Sequence, residues 1–137
     1  FVDNDRAIGF GMRLRDRGVR FAHRNGVAKG NVIYHTDNGD PFADVGIIAE
    51  GNLGVLIEDN LIYQMHPYDN AIEYRWEDST GVVIRRNSSN KNIQSRDGAE
   101  ASLELNDELE LDDFLIKFQK QSTLLNVVDY KKVIQGQ

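Results

Sequence analysis

The chain holds 137 residues, 40% hydrophobic and 28% charged, with a net charge of −6 and no cysteine. Length and composition predict one folded domain and exclude disulfides and thiolate metal sites. No stretch approaches the roughly 18–20 uninterrupted apolar residues of a membrane span, and the acidic balance speaks against nucleic acid as a partner.

The first residue is Phe1 rather than Met, and no basic-then-apolar leader follows it, so a processed or truncated product is expected. Residues 7–12 alternate apolar with small side chains, which suits a short, closely packed strand. The next stretch is basic: Arg13, Arg15, Arg17, Arg20, Arg24 and Lys29 face Asp16 alone. An acidic stretch follows, with Asp37, Asp40, Asp44, Glu50, Glu58 and Asp59 and no Lys or Arg between 30 and 59. Charge segregated in this way can steer an anionic ligand to one zone.

A motif then recurs along the chain. Residues 54–63, Gly-Val-Leu-Ile-Glu-Asp-Asn-Leu-Ile-Tyr, have a forerunner in 26–34, a successor in 81–87 and a weaker echo in 101–106. Its asparagines, Asn31, Asn60, Asn87 and Asn106, lie 29, 27 and 19 residues apart. A second strand family, marked by Ile47, Ile72 and Ile93, precedes them at gaps of 13, 15 and 13, so the register is kept. The connection from asparagine to the next isoleucine shrinks instead, through 16, 12 and 6 residues, and carries the turn formers around Asp37 to Pro41 and His66 to Asn70. The longer interval from Ile8 to Asn31 predicts that the basic stretch is an outward insertion.

Fixed-period similarity of this length marks a solenoid. Alternating β-branched residues and frequent turn signals favour strands over a helical repeat, and a β-sandwich would not need one motif to return in phase. The fold predicted is all-β, a single-stranded parallel β-helix of a few coils, with residues 1–106 as coils. Equivalent positions of successive coils lie about 4.8 Å apart, so the four asparagines should stack as a hydrogen-bonded ladder. Asn also tolerates the left-handed backbone of a sharp bend. Ile33, Ile62, Val55, Ile57, Val82, Ile84, Leu103 and Leu105 are expected inside. After Asn106 the pattern decays into an acidic run and an alternating segment at 114–118, so 107–137 read as a C-terminal cap. No such cap precedes Ile8, which points to self-association or further coils at that end.

The Gly-Val-x-Ile-x-x-Asn strands and the Asn-x-Ile-Tyr at 31–34 and 60–63 resemble the repeats of the right-handed, pectate-lyase-like parallel β-helix superfamily. The likeness is to the C-terminal coils of bacterial extracellular polysaccharide-active proteins, and it spans residues 5–106. It implies a right-handed coil, a secreted or cell-surface location and a polysaccharide partner. It does not by itself imply an activity, since the superfamily also holds non-catalytic surface proteins.

Uronate lyases of that group use Ca²⁺ or Arg to neutralise the sugar carboxylate and a base to take a proton. Phase alignment stacks Glu50, Arg75 and Arg96, each three residues after an aligned isoleucine, on one face. They are the candidates for binding an acidic sugar, with Arg24 beside them, or alternatively a surface ionic ladder. His23 and His35 join Arg75 and Arg96 as catalytic candidates, because a histidine near a carboxylate such as Asp37 can move protons. Asp37, Asp40 and Asp44 in one loop offer hard oxygens to Ca²⁺, without EF-hand spacing. A hydrolase would need close carboxylates on adjacent strands, yet Asp112 and Asp113 fall in the cap. Tyr34 and Tyr63 should stack, and Tyr74 and Trp76 should share the strand face opposite Arg75. The rival reading is a structural, adhesive or self-assembling module without chemistry.

Overall fold

The structure, a computed structural model, describes residues 1–12 and 18–121. Its strands run in chain order as β1 (Ile8–Gly11), β2 (His23–Lys29), β3 (Val32–His35), β4 (Ile47–Glu50), β5 (Asn52–Glu58), β6 (Leu61–Gln64), β7 (Asn70–Arg75), β8 (Thr80–Arg85), β9 (Ser88–Ser89), β10 (Asn92–Arg96), β11 (Ser102–Glu104) and β12 (Asp107–Glu108). Every third strand joins the same sheet, giving three four-stranded parallel sheets ordered β1-β4-β7-β10, β11-β8-β5-β2 and β12-β9-β6-β3. This is a parallel β-helix of four coils, each coil placing one strand in each sheet.

The repeat therefore holds three strand families where the sequence suggested two. The extra family is the short strand just after each ladder asparagine, too brief in β9 and β12 to show a period of its own. The register of the other two is as read: Ile8, Ile47, Ile72 and Ile93 stack in the first sheet, and Ala28, Ile57, Ile84 and Leu103 in the second. Ile47, Val55, Ile57, Ile62, Ile72 and Ile84 fill the space between the sheets at 0–1% exposure. Each such side chain contributes roughly 1.5–3 kcal/mol by leaving water.

The asparagine ladder is present. Asn31, Asn60 and Asn87 each donate from Nδ2 to Oδ1 of the next asparagine, at 2.9, 2.9 and 3.0 Å. The same oxygens accept the backbone N–H of the preceding coil's asparagine. The left-handed backbone falls one residue earlier than expected, at Gly30, Asp59, Arg86 and Leu105. That residue turns the chain, which leaves the asparagine free to point inward and bond.

Two expected core residues are not buried. Leu105 occupies the left-handed corner and is 79% exposed, whereas Leu103 has the interior register but lies on the final coil and is 49% exposed. At the other end, Phe1 to Asp3 lie parallel to β3, with Tyr34 N donating to the Phe1 carbonyl and Asp3 N to the Tyr34 carbonyl. Among the described residues, the chain thus supplies a partial cover over the third sheet, where none was foreseen. Of the basic insertion, residues 13–17 lie outside the described residues.

The segment read as alternating at 114–118 is helical, within α1 (Leu111–Gln121). Leu111, Phe114, Leu115 and Phe118 follow the spacing of a helical apolar stripe, and Asp112 and Asp113 in the first turn suit the positive end of the helix dipole. The stripe packs on Tyr34, Leu61 and Tyr63, so α1 lies on the outer face of the third sheet. Tyr34 and Tyr63 stack as expected, 6.3 Å apart and 15° from parallel. The rest of the expected cap, 122–137, is outside the described residues.

Candidate functional site

Glu50, Arg75 and Arg96 end successive strands of the first sheet and stack in register. Carboxylates separate the two guanidiniums. Arg75 Nη1 lies 3.1 Å from Glu50 and its Nε 2.8 Å from Asp97, while Arg96 Nη1 lies 3.0 Å from Glu73. Glu73 is fully buried and also accepts from Asn70 Nδ2 at 2.8 Å and from the Tyr68 hydroxyl. Burial opposes its ionisation, but the hydrogen bonds from Tyr68, Asn70 and Arg96 outweigh that and hold its carboxyl below the ordinary value. Burial and the same carboxylate push Tyr68 up to about 12.

Trp76 does not share Tyr74's side of the strand. Its φ of +76° breaks the alternation, and the Arg75 guanidinium sits 4.5 Å over its ring, whereas Tyr74 points inward at 7% exposure. The physical reason is the corner itself: Gly51, Trp76 and Asp97 all adopt the left-handed conformation that ends the first strand.

The two catalytic histidine candidates lie at different corners. His23 begins β2 beside the end of β1, stacks in register with Asn52 and packs on Phe10 at 5.2 Å between ring centres. Its neighbour Arg24 is exposed and lies 5.4 Å over the Phe21 ring. His35 ends β3 and is buried edge-on against His66, with ring centres 4.5 Å apart. Its Nδ1 is 2.5 Å from the Thr36 carbonyl and 3.7 Å from Asp3. Burial first, then His35 and Lys91, lower the pKa of His66, which keeps that ring neutral.

The aspartates offered to Ca²⁺ have other engagements. Asp44 pairs with Arg6 at 2.6 Å, and Asp40 accepts the Phe42 N–H at 2.9 Å. Asp5 and Asp40 share a hydrogen bond that raises the pKa of Asp5; the Phe42 N–H, then Asp5, lower that of Asp40. Asp37 is exposed. Among the described residues, no group of three or more His, Asp or Glu side chains could hold a metal ion.

A second charge ladder escaped the sequence reading. Lys29, Glu58, Arg85 and Glu104 stack across all four coils with alternating sign. Glu58 is the centre, with Lys29 at 2.8 Å, Arg85 at 2.5 Å and Arg86 at 3.0 Å covering it to 3% exposure. Hydrogen bonds from Lys29 and Arg85 hold its carboxyl down to about 2. The signal was available, because each of these residues stands two places before a ladder asparagine.

Beside the second sheet on the last two coils, an open groove of about 770 Å³ is lined by Glu77, Thr80, Val83, Glu100 and Ser102. Compared with protein-family models, with curated proteins and with solved structures, the chain has no match.

Proposed function

We propose that this β-helix is a non-catalytic module that works through its surfaces, in adhesion or assembly. The observation that carries the reading is the pairing of Arg75 and Arg96. The guanidiniums expected to hold a uronate carboxylate already hold Glu50, Asp97 and Glu73. A sugar acid drawing Arg96 away would leave Glu73 buried without its cation, held by Tyr68 and Asn70 alone, at a cost of about 1–3 kcal/mol. Two guanidiniums against three carboxylates also leave the corner without positive excess, so an acidic polymer gains little there. The secreted or cell-surface setting implied by the resemblance suits such a module.

The test is incubation with a panel of uronate polysaccharides, following absorbance of the unsaturated product. No product is expected. Product formation that is lost in Arg75→Met or Arg96→Met would restore the lyase reading.

A second reading is saccharide binding without cleavage, favoured by the groove with Glu77, Thr80, Glu100 and Ser102 on its walls. Carboxylates and hydroxyls of this kind bond sugar hydroxyls and repel sugar acids. Calorimetric titration with neutral and acidic oligosaccharides decides it: neutral ligands should bind, and Thr80→Trp should block them.

A further inference from the structure

We infer that the two ends of this β-helix are complementary and that a second copy of the chain docks head to tail, the β1–β2 end of one copy on the β10–β11 end of the other. The inference rests on the assembly reading above and names its partner and geometry.

The asparagine ladder is directional. Within the chain, each asparagine sends its backbone N–H and one Nδ2 hydrogen forward to the next Oδ1. Its other Nδ2 hydrogen returns to a carbonyl of the previous coil: Asn60 to Ala28, Asn87 to Ile57 and Asn106 to Ile84. Each rung therefore joins coils by three hydrogen bonds. At the tail, Asn106 has used its oxygen and its backward hydrogen, and its N–H and second Nδ2 hydrogen meet no acceptor among the described residues. At the head, Asn31 Oδ1 accepts nothing among the described residues. A copy placed tail to head at the ordinary strand spacing repeats all three bonds: Asn106 N–H and Nδ2 to Asn31 Oδ1, and Asn31 Nδ2 to the Leu103 carbonyl, the register equivalent of Ala28, Ile57 and Ile84.

The charge column points the same way. Lys29 stands at the head and Glu104 at the tail of the alternating series Lys29, Glu58, Arg85, Glu104. Stacking head to tail continues the alternation, whereas head-to-head or tail-to-tail contact opposes like charges. Among the described residues, β1 and β2 at one end, and β10 and β11 at the other, are edge strands with no further strand paired to them. Phe1 to Asp3 occupy the third-sheet edge at the head, the place that β12, directly after Asn106, would take in the docking copy, so docking displaces this segment and lets β12 pair with β3. Leu103, half exposed at the tail, gains cover in the process.

Sedimentation velocity across a wide concentration range tests this on the intact chain. Wild-type protein should associate progressively. Lys29→Glu and Glu104→Lys should each weaken association by about tenfold or more, since each sets like charges against each other. Mixing the two variants should restore pairing, because the head of the first and the tail of the second again carry opposite charges. Lys29 also holds Glu58, whereas among the described residues the Glu104 carboxylate accepts a hydrogen bond from Ser102 Oγ alone, at an exposed end. Glu104→Lys therefore carries the test should the other variant unfold. Association that is indifferent to both reversals overturns the head-to-tail geometry while leaving the assembly reading standing. A wild-type protein monomeric at every concentration overturns both.

Discussion

The Asn60 side-chain amide donates to the carboxamide oxygen of Asn87 at 2.9 Å, and both residues are buried to 1–2% exposure. Asn60→Ala would strand several partners in the interior: the Asn31 donors, the Ala28 carbonyl and one lone pair of Asn87. Unsatisfied buried groups cost about 1–3 kcal/mol each before relaxation. Urea unfolding should show a loss of about 3 kcal/mol for Asn60→Ala. Asn106→Ala, at the end of the ladder, should lose less, and equal losses at the two positions would mean that the ladder does not act as a unit.

Glu58 gives stability a particular pH dependence. Its folded pKa of about 2 lies below the ordinary value of 4.5. A carboxyl depressed in the folded state stabilises fully above its unfolded pKa, and that contribution disappears as pH falls toward the folded one. Wild-type unfolding midpoints should therefore drop as the pH is lowered from about 4.5 to about 2. Glu58→Gln should be less stable near neutrality and show a flatter profile in that window; an unchanged profile would remove the assigned role.

Arg96 and Arg75 should differ although they stack in register. Arg96→Met leaves the buried Glu73 with Tyr68 and Asn70 alone and is expected to cost about 1–3 kcal/mol. Arg75→Met breaks pairs with partly exposed carboxylates and should cost about 1 kcal/mol or less. Chemical denaturation of the two variants in parallel gives the comparison, and the reverse order would contradict the burial argument.

Gly26 sits where other coils carry Val55 and Val82. A Cβ there would lie 2.5 Å from His23 Cε1 and 2.7 Å from the Phe10 ring. Gly26→Ala should therefore destabilise by about 1–3 kcal/mol through overpacking. Pairing it with Phe10→Leu should recover part of the loss in a thermal melt, because the aromatic pair occupies the volume that valine fills elsewhere.

By itself the sequence determined the period, the parallel β-helix, the asparagine ladder and the register of Glu50, Arg75 and Arg96, since in-phase repetition forces equivalent residues to stack whatever their loops do. The same counting, carried two residues back from each asparagine, also contains the Lys29 to Glu104 column. Only the tertiary structure decided what each charge meets. Whether Arg96 faces solvent or a buried Glu73 depends on a loop residue, Tyr68, folding over the outer face, and loops of unequal length carry no phase. It likewise placed Trp76 against Arg75 through a left-handed corner, and α1 on the third sheet through a helical stripe hidden in an apparently alternating segment. Periodicity fixes neighbours along the stack; contacts across corners and with α1 depend on backbone turns and packing that no repeat encodes.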